Sequence, residues 1–312
     1  MKVLITGGAG FIGSHLADVL VSRRQDVTVI DNLSSGRMEN IRHLLNRKRF
    51  RFIRADLLCR RKLESIFEKG RYDAVFHLAA NSDIGGGVFN PETDFNHTFL
   101  TAWNTLECCR LFGVRKFLFA SSSAVYGENA GKLREETGPF HPISYYGAAK
   151  LAAESFVHAY AFLNDIQTWI VRFPNVVGER ATHGVIYDFI RKLKKNPLQL
   201  EILGNGRQKK PYVYVKDLVE AVFLVFQNAS ERVNVYNVGV DDRLSVNEIA
   251  GIVCREMRLE GVKIFYTGGS GGWKGDVPRY RYDLKKIHAM GWKARYSSRE
   301  AVEIAVRRML QS

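Results

Sequence analysis

Residues 3–13 read Val3-Leu4-Ile5-Thr6-Gly7-Gly8-Ala9-Gly10-Phe11-Ile12-Gly13. A short apolar run enters a glycine-rich turn, and a helical spacing of apolar residues over 12–22 leaves it. Gly7, Gly10 and Gly13 fall in a G-x-x-G-x-x-G pattern. Glycines at these positions allow a tight turn and let the backbone approach a pyrophosphate. The next helix presents free N–H groups and the positive end of its dipole to the phosphates. The pattern means little by itself; its strand–turn–helix context makes it a dinucleotide fingerprint.

The second apolar run (27–30) ends beside Asp31, 18 residues beyond Gly13. That offset is close to the ~20 residues expected for a ribose-binding acid. A carboxylate there accepts both adenosine ribose hydroxyls and repels a 2′-phosphate, so NAD is favoured over NADP. Asp56-Leu57, after the third run, is placed to contact adenine or to cap the next helix.

Further strand-like runs lie at 50–53, 74–78, 117–120 and 168–171, separated by helical patterns at 93–112 and 144–163. Such alternation predicts an α/β fold: a doubly wound parallel sheet of Rossmann type, covered by helices on both faces. After Phe173-Pro174-Asn175 the rhythm changes. Helices are expected near 185–195 and 217–227, strands near 200–203 and 212–215, and a strand at 233–238 that returns to the main sheet. The expected division is a dinucleotide domain over 1–173 with a return segment at about 212–239. A smaller mixed α/β lobe takes 174–211 and 240–312.

The 312 residues are 46% hydrophobic, enough for a sizeable core, and carry a net charge of +14. The basic runs are short, as in Arg47-Lys48-Arg49 and Arg60-Arg61-Lys62, and lack interleaved aromatics. They read as solvated faces, and no nucleic-acid partner is expected. No apolar stretch reaches the ~20 residues of a membrane span, and no signal peptide is recognisable. Cys59, Cys108, Cys109 and Cys254 have no metal-ligand spacing; free or buried thiols, no metal and a cytoplasmic location are expected.

Tyr146-Gly147-Ala148-Ala149-Lys150 opens a helical stretch, placing Tyr146 and Lys150 on one face, a turn apart. A phenol titrates near pH ~10, so service as a base near neutrality requires lowering it at a cost of about 4 kcal/mol. A nearby ammonium and the nicotinamide cation are expected to supply this. The run Ser121-Ser122-Ser123-Ala124-Val125-Tyr126-Gly127 ends a predicted strand, where ligand sites of open α/β sheets lie.

Together these motifs resemble the extended short-chain dehydrogenase/reductases, specifically the nucleotide-sugar epimerase/dehydratase family, and within it the UDP-glucose (UDP-galactose) 4-epimerases. The resemblance also draws on Asp31-Asn32-Leu33-Ser34-Ser35-Gly36, His77-Leu78-Ala79-Ala80, Arg172-Phe173-Pro174-Asn175-Val176-Val177-Gly178 and Tyr212-Val213-Tyr214-Val215-Lys216-Asp217. It implies that Ser122 is the catalytic hydroxyl, Tyr146 the base and Lys150 its partner. It implies cofactor contacts from Gly7, Gly10, Phe11, Ile12, Gly13, Asp31, Asn32, Ser35, Gly36, Asp56 and Leu57. Leu78, Ala79, Ala80, Lys150 and Phe173 belong to the nicotinamide side. Substrate contacts fall to Ser122, Ser123, Tyr146, Asn175, Val185, Lys210, Tyr212, Asp276 and Tyr280. A homodimer built on a four-helix bundle is also implied.

Members of the family oxidise a sugar hydroxyl to a transient ketone and differ in the fate of that ketone. Dehydratases carry Asp-Glu after the catalytic hydroxyl, whereas Ser123 and Ala124 stand here. No Cys/His pair of the kind used for epimerisation at C3 and C5 is found. The implied reaction is therefore 4-epimerisation, by rotation of the 4-keto sugar and return of hydride to its other face. The alternatives are dehydration, or epimerisation of UDP-GlcNAc/GalNAc or a uronic acid. An NAD-sensing or nucleic-acid-binding protein without catalysis is the alternative of another class.

Three positions depart from the family. Lys210-Pro211 replaces an arginine that pairs with the diphosphate, and Trp273 replaces a second one. Arg279 or Arg281 is the expected compensation, or stacking by Trp273. Thr98 stands where an asparagine is common. Tyr280 occupies a position that is small in epimerases accepting N-acetylated sugars, which favours glucose/galactose. The stretch Gly268-Gly269-Ser270-Gly271-Gly272 lacks a P-loop ending and is expected to be a flexible segment over the sugar site.

Overall fold

The computed structural model describes residues 1–129 and 131–311. Seven strands form the central sheet: β1 (Lys2–Thr6), β2 (Asp26–Asp31), β3 (Phe50–Arg54), β4 (Ala74–His77), β5 (Lys116–Ser122), β6 (Gln167–Phe173) and β7 (Val233–Asn237). Their spatial order is β3-β2-β1-β4-β5-β6-β7. Every pairing is parallel. The order reverses between β1 and β4, which opens a crevice at the carboxyl ends of those strands.

Alternation along β1 sends Val3 and Ile5 into one core layer and Leu4 into the other. The first layer also holds Leu16 and Leu20 of α1 (Phe11–Ser22) and Trp169 of β6. The second holds Leu63 and Phe67 of α2 (Arg60–Gly70), Leu106 of α3 (Thr101–Leu111) and Val157 of α4 (Tyr145–Leu163). Both faces of the sheet are therefore covered, as an all-parallel sheet requires. Trp169 is buried, and its indole N–H donates to the carbonyl of Ala229 at 3.2 Å, so its polar atom is satisfied.

The pattern at 93–112 is one helical run with an irregularity inside it. A turn at Pro91–Asp94 continues as a π-helix at Phe95–Leu100 and then as α3. Such π turns recur near functional sites. The strand Tyr212–Tyr214 lies outside the central sheet and pairs parallel to Asn175–Val177. Helices α5 (Val185–Lys195), α6 (Val215–Asn228), α7 (Val246–Glu256) and α8 (Ser298–Gln311) complete the longer helices of the C-terminal part. Buried residues of all four join the first core layer.

The four cysteines are free, with Cys108 and Cys109 buried. No helix among the described residues is long and apolar enough to cross a membrane.

Candidate active site

A cavity of about 1030 Å³ lies along the carboxyl ends of β1 to β6. Every residue named above as a cofactor or substrate contact lines it. Part of the reason is topological: the glycine turn, Asp31, Asp56, Leu78 to Ala80, Ser122 and Phe173 lie at or just beyond the carboxyl ends of strands of the sheet.

The glycine turn is closely built. Gly7 has φ +67°, and an added Cβ would lie 2.7 Å from the Ala79 nitrogen. A Cβ on Gly13 would lie 2.3 Å from the Gly7 carbonyl. Gly10 caps α1 without a side chain of its own, so nothing of that residue covers the first N–H groups of the helix. Asp31 is buried at the end of β2 and accepts from the Ala9 N–H at 3.0 Å and the Leu33 N–H at 2.8 Å. Burial pushes its carboxyl up, and these backbone donors oppose the rise. Gly36 lets its loop close over the acid, since a Cβ there would sit 2.7 Å from the Asp31 oxygens. Asp56 is held by the Asn32 amide at 3.1 Å and by the Leu58 N–H at 2.8 Å. It does not cap α2, whose N-cap is Cys59. Turn, acid and loop form a cradle fitted to the adenosine pyrophosphate half of a dinucleotide.

At the other end, Ser144 caps α4 by accepting the Gly147 N–H at 3.1 Å. A Cβ on Gly147 would lie 2.6 Å from the Ala124 carbonyl, so this glycine lets the helix approach the turn after β5. Tyr146 is thereby brought to Ser122. Burial pushes the Tyr146 phenol up to about 12, with the Ser122 hydroxyl opposing and the Asp94 carboxylate adding to the rise. Lys150 is 2% exposed and its Nζ donates to the Ala120 carbonyl at 2.6 Å. Burial lowers the ammonium to about 7, against the charges of Glu154 and Asp94.

The Lys150 Nζ is turned to the Ala120 carbonyl and lies 5.7 Å from the centre of the tyrosine ring. Desolvation is the largest influence of the protein's own groups on the phenol.

The departures are also placed. Half-buried Lys210 forms an ion pair with buried Asp276, whose second oxygen accepts the Gly272 N–H at 3.0 Å. The Lys210 ammonium also lies 5.4 Å from the Trp273 ring centre. Arg279 and Arg281 are exposed and do not line the cavity, so neither replaces the missing arginine. Lys150 and Lys210 are the lysines on its wall, and no arginine is found there among the described residues. The excess of +14 therefore belongs to other surfaces. The Thr98 hydroxyl accepts the Asn81 N–H at 3.1 Å and so fixes the loop after β4. Asn175 Nδ2 and the Tyr280 hydroxyl are buried without a hydrogen-bond partner among the described residues, and both residues line the cavity. Buried polar atoms of this kind are costly unless a ligand meets them.

Sequence reading misses Asp94, Glu154 and Asn81, which surround Lys150 and the loop after β4. Only the run Gly85-Gly86-Gly87 hints at close packing there.

The family described as "NAD dependent epimerase/dehydratase family" matches residues 3–239. The chain belongs to this family. A putative UDP-glucose 4-epimerase of Methanocaldococcus jannaschii is 35% identical over 309 residues, covering 97% of each chain. A crystal structure of a UDP-galactose 4-epimerase is similar at a TM-score of 0.89 and 38% identity, covering 100% of this chain and 99% of that one. The Thermus thermophilus UDP-glucose 4-epimerase, in complex with NAD, is similar at 0.88 and 33%, covering 99% and 98%. The family resemblance read from the motifs is thus correct, and NAD is the cofactor of this epimerase/dehydratase family member.

Proposed function

We propose that the protein interconverts UDP-glucose and UDP-galactose by epimerisation at C4. The observation that carries the reading is the meeting of Ser122, Tyr146 and Lys150 at one end of the dinucleotide cavity, with no carboxylate or imidazole at positions 123 and 124. Bound NAD would serve as a resident hydride acceptor and donor at the sugar carbon. Gly7 to Gly13, Asp31 and Asp56 would hold its adenosine pyrophosphate, and Leu78 to Ala80, Lys150 and Phe173 its nicotinamide side.

In this reading Tyr146 takes the proton of the C4 hydroxyl and Ser122 shares it. Tyr146 then needs a lower affinity for protons than burial alone gives it, and a cationic ring beside the phenol lowers it by favouring the phenolate. Asn175, Val185, Lys210, Tyr212 and Asp276 would hold the nucleoside diphosphate. The Lys210 charge is shared with Asp276, so a diphosphate has to compete with that carboxylate for it. Elimination from C5 and C6 needs a further acid and base. Ser123 and Ala124 do not provide them, so the keto sugar is left to turn over in the pocket and be reduced from its other face.

The Tyr280 ring, buried against this end of the cavity, supports glucose and galactose over the 2-acetamido sugars. Lobe division at residues 173–174, a cytoplasmic location and a homodimer are further parts of the proposal. Exposed Phe95, Phe156, Phe162 and Leu163, on the π turn and α4, support pairing through these helices. The deciding experiment is to supply UDP-galactose to the purified protein. UDP-glucose should form without net NADH accumulation; a 4-keto-6-deoxy product would refute the reading.

A further inference from the structure

Asp94 ends the short turn that precedes the π-helix, and it is 1% exposed. Its Oδ1 accepts from the Asn81 side-chain amide at 3.0 Å, and the Thr98 hydroxyl lies 3.5 Å away. Its Oδ2 is buried with no hydrogen-bond partner among the described residues. A Cβ on Gly87 would lie 2.5 Å from that oxygen, so the third glycine of Gly85-Gly86-Gly87 makes room for it. A buried carboxylate oxygen without a partner costs free energy unless a nearby charge offsets it. The turn that ends in Asp94 packs against α4, and buried Lys150 of that helix is the cation whose charge acts on it.

We propose that Asp94 is a positioning residue that keeps Lys150 in its ammonium form; this rests on the catalytic reading of Tyr146 and Lys150 above. Several groups face Lys150. Tyr146 and Glu154 lie on its own helix, His77 on β4, the Ala120 carbonyl on β5, and Asp94 comes from the neighbouring helical run. Burial, then the Lys150 charge, push His77 down to about 3, so it is a neutral neighbour. Glu154 raises the Lys150 ammonium first, and Asp94 second. The Glu154 charge, however, is spent on Arg172, which donates to both of its oxygens at 2.9 and 2.7 Å. At Lys150 that pair acts as a dipole. Asp94 forms no ion pair among the described residues; its donors Asn81 and Thr98 are neutral, so its negative charge is not cancelled in that way.

The dependence runs both ways. Burial pushes the Asp94 carboxyl up; Asn81, Thr98 and the Lys150 charge hold it down, and Asp83 adds a like charge. Asn81 belongs to the loop after β4 that also carries Ala79 and Ala80, so Asp94 joins the loop and the lysine in one arrangement.

The test tracks the lysine directly. Protein labelled at lysine 13Cε is titrated by NMR as purified with its cofactor, and the Lys150 signal is identified by its loss in Lys150→Arg. The proposal expects a lower titration midpoint for Lys150 in Asp94→Asn than in the wild type. Thr98→Val, which removes a hydroxyl from the same network but no charge, should move the midpoint far less than Asp94→Asn. Asp94→Thr serves if the asparagine variant does not fold, with the same expectation. An unchanged midpoint in the charge-free variants, or an equal fall in Thr98→Val, would overturn the proposal.

The kcat profile for UDP-galactose then separates this inference from the reading it rests on. The alkaline limb should move to lower pH in Asp94→Asn with KM little changed. Each pH unit of displacement means about a tenfold loss of kcat above the limb. A lowered NMR midpoint with an unmoved limb supports the role of Asp94 at Lys150 and refutes the catalytic reading.

Discussion

Arg172 and Glu154 form a two-pronged ion pair between β6 and α4, with both side chains 3% exposed. Arg172 belongs to β6 and Glu154 to α4, one turn beyond Lys150. Glu154 also accepts the Ser121 hydroxyl, at the end of the strand that carries Ser122. Arg172 Nη1 donates to the Tyr126 hydroxyl at 2.7 Å and the Glu135 carbonyl at 2.8 Å. The pair therefore holds helix, strand and turn in one register, with its hydrogen bonds satisfied.

Breaking one side of this pair strands the other charge in the core. Glu154→Gln should lose about 3–5 kcal/mol of stability, the usual cost of an unpaired buried ion. Urea denaturation would measure it. Glu154→Leu with Arg172→Met removes both charges and should recover much of the loss. Equal stability of the single and double variants would show that the pair is not what holds the helix.

Tyr146→Phe keeps the ring and removes the hydroxyl. Turnover of UDP-galactose should fall by roughly 10²–10⁴-fold, the range of general acid–base contributions. NAD recovered from the purified variant should stay near one per chain. A variant with near-wild-type turnover would rule out Tyr146 as the base.

Lys150 sets a pH dependence of stability. Burial holds its folded value at about 7, below the ordinary 10.5. Between those values the unfolded chain binds more protons than the folded one, so stability rises with pH across the window. Below pH 7 the buried ammonium imposes its full cost. In cofactor-free protein, Lys150→Met should melt higher than the wild type at pH 6. Its stability should rise less between pH 7 and 10. An unaltered rise in the methionine variant would assign the effect to other groups.

Tyr280 is the proposed gate against a 2-acetamido group. Tyr280→Ser should raise kcat/KM for UDP-N-acetylgalactosamine relative to UDP-galactose by about tenfold, equivalent to about 1.4 kcal/mol. Both ratios come from coupled assays on the wild type and the variant. An unchanged preference would remove Tyr280 from specificity.

Much of the fold is legible in the sequence because its signals are local. The turn at Gly7, Gly10 and Gly13 needs only neighbours along the chain, and so does the alternation that sets up β1 to β6. The helix at 93–112 is legible, but its π turn is not, since apolar spacing does not register an inserted residue. The strand near 212–215 is legible too, but its partner is not, because strand pairing depends on residues far apart in sequence. Asp94 and Glu154 escape notice for a related reason. A single acid on a helix reads as solvated until packing buries it.

The dinucleotide cradle, the Tyr146–Lys150 helix and the order of strands and helices are all set by the amino-acid sequence alone, since each is written in residues close along the chain. The state of the charges is not, and it emerges only in the packed molecule. Packing turns Lys150 toward Ala120, raises Tyr146 by burial, pairs Glu154 with Arg172 and Lys210 with Asp276, and leaves one oxygen of Asp94 without a partner among the described residues. Proton affinities depend on desolvation and on charges brought together through space, and neither exists until the chain has folded.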